Sequence, residues 1–254
     1  MASLESIWKD LLWKCYHQGK DVKKDDSEIR ELMGNFVFIE RPQDVSHPIF
    51  QNVVHRGQFL DFLEKGLYDI EGYPFKGEAL YDYVTSLDKS DHIFCSDAEE
   101  IATLKLNRVP FVYTYPVRLM HLFTTTSFME NDCFDVEWVD QLKTIADRLK
   151  KNMGSNRAVA TLYHPGIDRN RDDIPCLNWI QFTVRDGKLA AHVMFRSNDL
   201  FGAWPANMYL ITYLGLCIAE RIGVVQFCGI YYHSSSLHIY KSNFEEVEKI
   251  LNDK

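Results

Sequence analysis

Cys176 is the residue of this chain best placed for covalent chemistry. It follows Pro175 at the end of a polar, turn-rich stretch, 165–173 (PGIDRNRDD), and opens an apolar run. A thiol at the edge of an element can be reached by a ligand, and the cations Arg169 and Arg171 just before it favour the thiolate. A thiolate there could add to an electrophilic carbon as a covalent catalyst. A cysteine alone is weak evidence, because most are small buried apolar residues. Its downstream neighbours add weight as a set: Gln181-Phe182, Arg185-Asp186-Gly187-Lys188-Leu189, Arg196-Ser197-Asn198-Asp199, then Asn207, and His238-Ile239-Tyr240. Taken singly, each has an ordinary role. Arg196 could be a strand-end surface charge, Asn207 a helix cap, and His238 with Tyr240 an aromatic pair on an edge strand.

Taken in order, these segments resemble the nucleophile half of the thymidylate synthase and pyrimidine-nucleotide hydroxymethylase superfamily, and most of all the short archaeal-type synthases. In that family a Pro-Cys leads into a Gln-Phe strand and a hairpin. An Arg-Ser-x-Asp, a base-reading asparagine and a His-x-Tyr follow. The resemblance covers residues 157–240, about a third of the chain. It implies that Cys176 adds to C6 of a pyrimidine, turning the ring into an enolate with a nucleophilic C5. Charge developing on O4 then needs hydrogen-bond donors. Asn207 can donate to O4 and accept from N3–H, which suits uracil. The cytosine-specific relatives carry Asp at that place.

The resemblance also implies that Arg196 and Ser197 bind the 5′-phosphate, the arginine by a charge-assisted fork. His238 and Tyr240 would meet the sugar 3′-hydroxyl, and Asp199 would lie on the pterin side. Arg157 matches the second of two family arginines that reach the phosphate from the partner subunit, while Asn156 stands in place of the first. A homodimer sharing its sites is therefore expected, formed sheet to sheet. The family's early-helix carboxylate, which organises proton transfer, falls at Asp61 or Glu64, with Asp61 favoured. Of the basic residues in the region of the family's early phosphate arginine, Lys23, Lys24 and Arg30, none fits well. Further departures are Asn198 where many synthases have Cys (the hydroxymethylases show Asn), Tyr163-His164 for Trp-Asn, and Leu177 for His. The implied one-carbon donor is 5,10-methylenetetrahydrofolate or methylene-tetrahydromethanopterin, with no metal. Reductive methylation of dUMP is the leading activity. The alternatives are 5-hydroxymethylation of dUMP, dCMP or CMP, and a non-catalytic nucleotide-binding relative.

The elements that must position these residues can be read from periodicity. Residues 3–17 place Leu4, Ile7, Leu11 and Leu12 on one helical face. Residues 35–39 read as a strand, and 57–67, 97–106 and 135–151 as helices. Residues 157–163 are a strand pattern. Residues 178–197 form two strands around Asp186-Gly187, a strong hairpin signal. Residues 205–221 are an apolar helix with Pro205 near its start and Gly223 as its stop. Two strands, 224–233 and 237–240, precede a closing helix, 242–252, capped by Ser242 with Glu245 three later.

The expected fold is α+β, a mixed or antiparallel sheet packed by helices, in one domain spanning 1–254. With 254 residues, 46% of them hydrophobic, the chain can bury one large core. Its 36 acids against 28 Lys and Arg leave a net charge of −8, so no bulk attraction to nucleic acid or anionic membrane is expected. An anionic substrate would need a local basic pocket. The six cysteines are scattered without a CxxC pair, which fits reduced thiols in the cytoplasm. No signal peptide or membrane span is expected. Fourteen residues follow Tyr240, too few for the long tail that closes over the carrier in ordinary bacterial synthases.

Overall fold

The computed structural model describes residues 4–24, 26–40, 42, 115–120, 122–127, 134–172 and 174–252. The expected helices 57–67 and 97–106 lie outside the described residues, as do Asp61 and Glu64.

Helix α1 (Leu4–Gln18) buries Leu4, Ile7, Trp8, Leu11, Leu12 and Cys15, the stripe its periodicity predicts. It leads into a hairpin of β1 (Lys20–Lys24) and the long β2 (Ser27–Glu40). A short helix α2 (Tyr115–Met120) and a two-stranded sheet of β3 (Leu122–Ser127) and β4 (Phe134–Val139) follow. Then come α3 (Gln141–Lys151), β5 (Val159–Thr161), α4 (Pro165–Asp168), β6 (Leu177–Arg185), β7 (Lys188–Asp199), α5 (Trp204–Ile222) and β8 (Gln226–Tyr240). A 3-10 turn (Lys241–Asn243) and α6 (Phe244–Asn252) complete the described chain.

The main sheet has six strands in the order β1-β2-β8-β7-β6-β5. Every pairing is antiparallel except β7 with β8. A parallel pair needs a crossover, and α5 supplies it. The fold is thus α+β with a mixed sheet packed by helices, as expected. The β6–β7 turn has φ of 50° at Asp186 and 73° at Gly187, the two positive values that an Asp-Gly hairpin turn requires. Helix α5 ends on Gly223 in the left-handed region, its N–H on the Ala219 carbonyl. The core lies on one face of the sheet, where Phe182, Val193, Phe195, Ile211 and Ile230 are at most 2% exposed. Among the described residues no helix is long and apolar enough to cross a membrane.

Three expectations are corrected. Residues 135–139 are strand, and the helix begins only at Gln141, behind Asp140, whose carboxylate accepts from the Lys143 N–H at 2.8 Å. Val136 and Val139 fit helical spacing, but pairing with β3 decides for the extended form. Residues 224–233 and 237–240 are one strand: Ser234 and Ser236 pair with β2 on one side and β7 on the other, so they do not break it. Their hydroxyls are satisfied locally, Ser234 donating to the Ser236 carbonyl and Ser236 to Glu31. Ser242 lies inside the 3-10 turn, and the last helix starts two residues later.

Candidate active site

The segment bearing Cys176 is held from several directions. At its base, Asp168 accepts from the Arg118 guanidinium at 2.6 Å and from the His164 N–H at 2.7 Å, and the ion pair is almost wholly buried. Further along, Arg196 on β7 reaches back over the loop. Its Nη2 donates to the Ile174 carbonyl at 2.6 Å, its Nε to the Pro175 carbonyl at 3.2 Å, and its backbone N–H to the Cys176 carbonyl at 2.8 Å. The Leu177 N–H donates to the Tyr115 hydroxyl at 3.3 Å, and Asn178 donates to Pro175 at 2.9 Å. Cys176 itself is half-buried. Burial pushes Cys15 up to about 12, and its Sγ donates to the Arg30 carbonyl at 3.2 Å. Burial also pushes Cys228 up. A raised pKa keeps a thiol protonated and unreactive.

The C-terminal end of β7 lies beside β8, with Ser197 opposite Ser236 and Asp199 opposite His238. Ser197 Oγ is 3.4 Å from His238 Nδ1. His238 is 2% exposed, and desolvation, reinforced by Lys24 and Arg196, pushes it down to about 4. It is therefore a neutral imidazole near pH 7. Its buried Nε2 has no hydrogen-bond partner among the described residues. The Tyr240 ring stands edge-on to it at 5.2 Å, with Lys24 Nζ 5.9 Å from the Tyr240 centroid. Asp199 Oδ1 accepts from the Phe201 N–H at 3.1 Å. Burial raises its pKa, against the opposing Gly202 and Phe201 N–H groups and Lys24.

Asn207 sits in the first turn of α5, its N–H on the Ala203 carbonyl at 2.9 Å. The helix cap is Ala203, so Asn207 does not cap the helix. Instead its Nδ2 donates to Asn198 Oδ1 at 3.1 Å, and Asn198 Nδ2 donates to the Tyr232 hydroxyl at 3.1 Å. Tyr232 is raised first by desolvation, and a charge on Cys176 acts in the same sense, which makes thiol and phenol electrostatic neighbours.

These contacts join Cys176, Arg196, Ser197, Asn198, Asp199, Asn207, His238 and Tyr240 in one cluster. Arg157 lies apart, exposed before β5, with its N–H on Ser155 Oγ. Asn156 accepts from Arg185 at 2.6 Å. Tyr232 carries no sequence signal, and Lys24, one of the three basic residues that fit the family's phosphate arginine poorly, acts by its charge on both His238 and Asp199. Arg30, by contrast, is taken up by Asp21 and by the Tyr16 and Phe244 rings. Among the described residues no group of three His, Cys, Asp or Glu could hold a metal ion.

The sequence model described as thymidylate synthase matches residues 96–254. A protein of Methanothermobacter thermautotrophicus named "Putative thymidylate synthase" is 31% identical over 245 residues, 96% of this chain and 93% of that protein. One of the same name from Methanothermobacter marburgensis is 31% identical over 248 residues, with the same coverage. A third, from Methanocaldococcus jannaschii, is 38% identical over 120 residues, 44% of this chain and 53% of its own.

Proposed function

The chain belongs to the thymidylate synthase family, and from that premise we propose that it methylates dUMP at C5 through a covalent bond between Cys176 and C6. The observation that carries this reading is the joining of Cys176, Arg196, Asn207 and His238 in one cluster built from the segment before β6, β7, α5 and β8. A pyrimidine nucleotide offers a phosphate, a sugar hydroxyl and a base edge, and the cluster has a group for each.

Arg196 already spends Nη2 and Nε on the cysteine loop, which leaves Nη1 for a phosphate oxygen beside Ser197. Binding the phosphate and seating the nucleophile then become one event. The orphaned His238 Nε2 is the natural partner of the 3′-hydroxyl, since a buried ring nitrogen without a hydrogen bond is costly. Tyr240 stands beside it. Lys24 and Arg196 both act on His238, supplying the local positive field that an acidic chain lacks in bulk. Asn207 offers Oδ1 to N3–H and its second N–H to O4, where charge gathers once the Cys176 thiolate has added to C6. We assign Asp61 as the proton-relaying carboxylate.

The family uses a folate-type one-carbon donor. On the donor side, Asp199 is a half-buried carboxylate with lone pairs beyond those that the Phe201 and Gly202 N–H groups meet, which fits the N–H groups of a reduced pterin. When bound, the methylene carrier supplies the carbon and the hydride. Methylenetetrahydrofolate and methylene-tetrahydromethanopterin share that chemistry. Asn198, which matches the hydroxymethylases, favours a second reading in which water completes the reaction.

The working unit is a cytoplasmic homodimer, a single domain per chain. Phe36 is 66% exposed and Phe38 39%, and both rings lie near Tyr231, itself stacked on His192 at 4.6 Å; Met194 is 43% exposed. An apolar face of this kind on β2, β8 and β7 fits burial against a second copy, and Arg157 would then reach the partner's phosphate. Mass spectrometry of dUMP incubated with enzyme and carrier tests the activity. Gain of a methyl group supports it, gain of a hydroxymethyl group selects the second reading, and an unchanged nucleotide rejects both.

A further inference from the structure

Asn198, Tyr232 and Ser234 are buried side chains that none of the steps above requires. Ser234 and Tyr232 are 0% exposed and Asn198 1%, so water cannot rescue a wrongly turned group among them.

Two hydrogen bonds between these side chains run in one direction. Asn207 Nδ2 donates to Asn198 Oδ1 at 3.1 Å. Asn198 in turn presents its NH2 to the Tyr232 phenol oxygen, also at 3.1 Å, which turns its own carbonyl towards Asn207. Ser234 and Trp204 also act on that phenol, in the same sense as Asn198. Donors that run the same way strengthen each link.

We propose that Asn198 and Tyr232 are positioning residues that fix the amide of Asn207 in the orientation that accepts uracil and rejects cytosine. The inference rests on the reading of Asn207 as the group that meets the base. A free amide could turn by 180° and exchange its oxygen for its N–H. It would then accept from the cytosine 4-amino group and donate to N3. Here that turn sets Asn207 Oδ1 against Asn198 Oδ1, two acceptors with no proton between them. Discrimination thus comes from side chains that never touch the nucleotide.

The test is release of tritium from [5-³H]dUMP and [5-³H]dCMP by the full chain with its carrier. The wild type is expected to favour dUMP. Tyr232→Phe and Asn198→Ala are expected to raise the dCMP-to-dUMP ratio of kcat/KM by roughly tenfold or more. General damage lowers both nucleotides together and leaves the ratio alone. Tyr232→Phe, the smaller change, carries the test if Asn198→Ala does not fold. Calorimetric binding of the two nucleotides reads the same preference without turnover. Unmoved ratios overturn the inference and leave the functional reading standing. A wild type that releases tritium from neither nucleotide overturns both.

Discussion

The backbone N–H of Arg196 donates to the carbonyl of Cys176 at 2.8 Å, while the guanidinium of the same arginine grips the two carbonyls just before it. One residue thus sets the position of the nucleophile and retains a nitrogen for an anion. A lysine at 196 keeps the charge but loses the fork. Arg196→Lys is therefore expected to lower kcat/KM for dUMP by on the order of a hundredfold, since charge-assisted hydrogen bonds are worth roughly 1.5–3 kcal/mol each. It should also alter the alkylation rate of Cys176 in the absence of nucleotide. Steady-state kinetics and mass-mapped iodoacetamide labelling check the two effects.

His238 makes folding stability depend on pH. Its folded value is about 4 against an ordinary 6.5, mainly because it is buried. Between those values the unfolded chain takes up a proton and the folded chain does not. Stability is therefore expected to fall as pH drops from 6.5 towards 4, by up to about 3 kcal/mol, and to level off below. His192, also pushed down by burial, adds to this slope, whereas the raised Asp199 opposes it. The diagnostic is therefore a difference: urea denaturation of His238→Gln against wild type should show a shallower acid limb.

Gly202 touches the carboxylate that the account assigns to the carrier. A Cβ there would meet Asp199 Oδ2 at 2.5 Å and Cγ at 3.5 Å. Gly202→Ala is expected to displace Asp199 or to strain the turn by about 1–3 kcal/mol. Carrier KM should rise while dUMP affinity, measured by calorimetry, is retained.

How far the sequence foretold this depends on how local each signal is. Asp186-Gly187 and Gly223 demand their own backbone conformations, and both landed as read. The stripe of α1 likewise needs only its own periodicity. Residues 135–139 and 234–236 departed from expectation because strand pairing outweighed their local preference. Cys176, Arg196, Asn207 and His238 could be listed from a motif, but not their contacts. Lys24 and Tyr232 enter the cluster only because the sheet order sets β2 between β1 and β8, and β8 beside β7. No pattern along the chain expresses that adjacency.

The apolar sheet face carries its own prediction. Phe36→Glu places a charge in the middle of the proposed contact between copies, where an unpaired carboxylate is strongly disfavoured. Light scattering after gel filtration should find a dimer for the wild type and a monomer for the variant. Activity should fall with dimerisation if Arg157 serves the partner's site. A wild-type monomer that is fully active removes both the dimer and the shared site.

The central claim is that Cys176 makes C5 of a uracil nucleotide reactive. Tritium release from [5-³H]dUMP, measured for wild type and Cys176→Ala with the reduced methylene carrier, tests it most directly. The account predicts release by the wild type and none by the variant above the uncatalysed background. Release by Cys176→Ala, or release by the wild type from dCMP and not from dUMP, would contradict it.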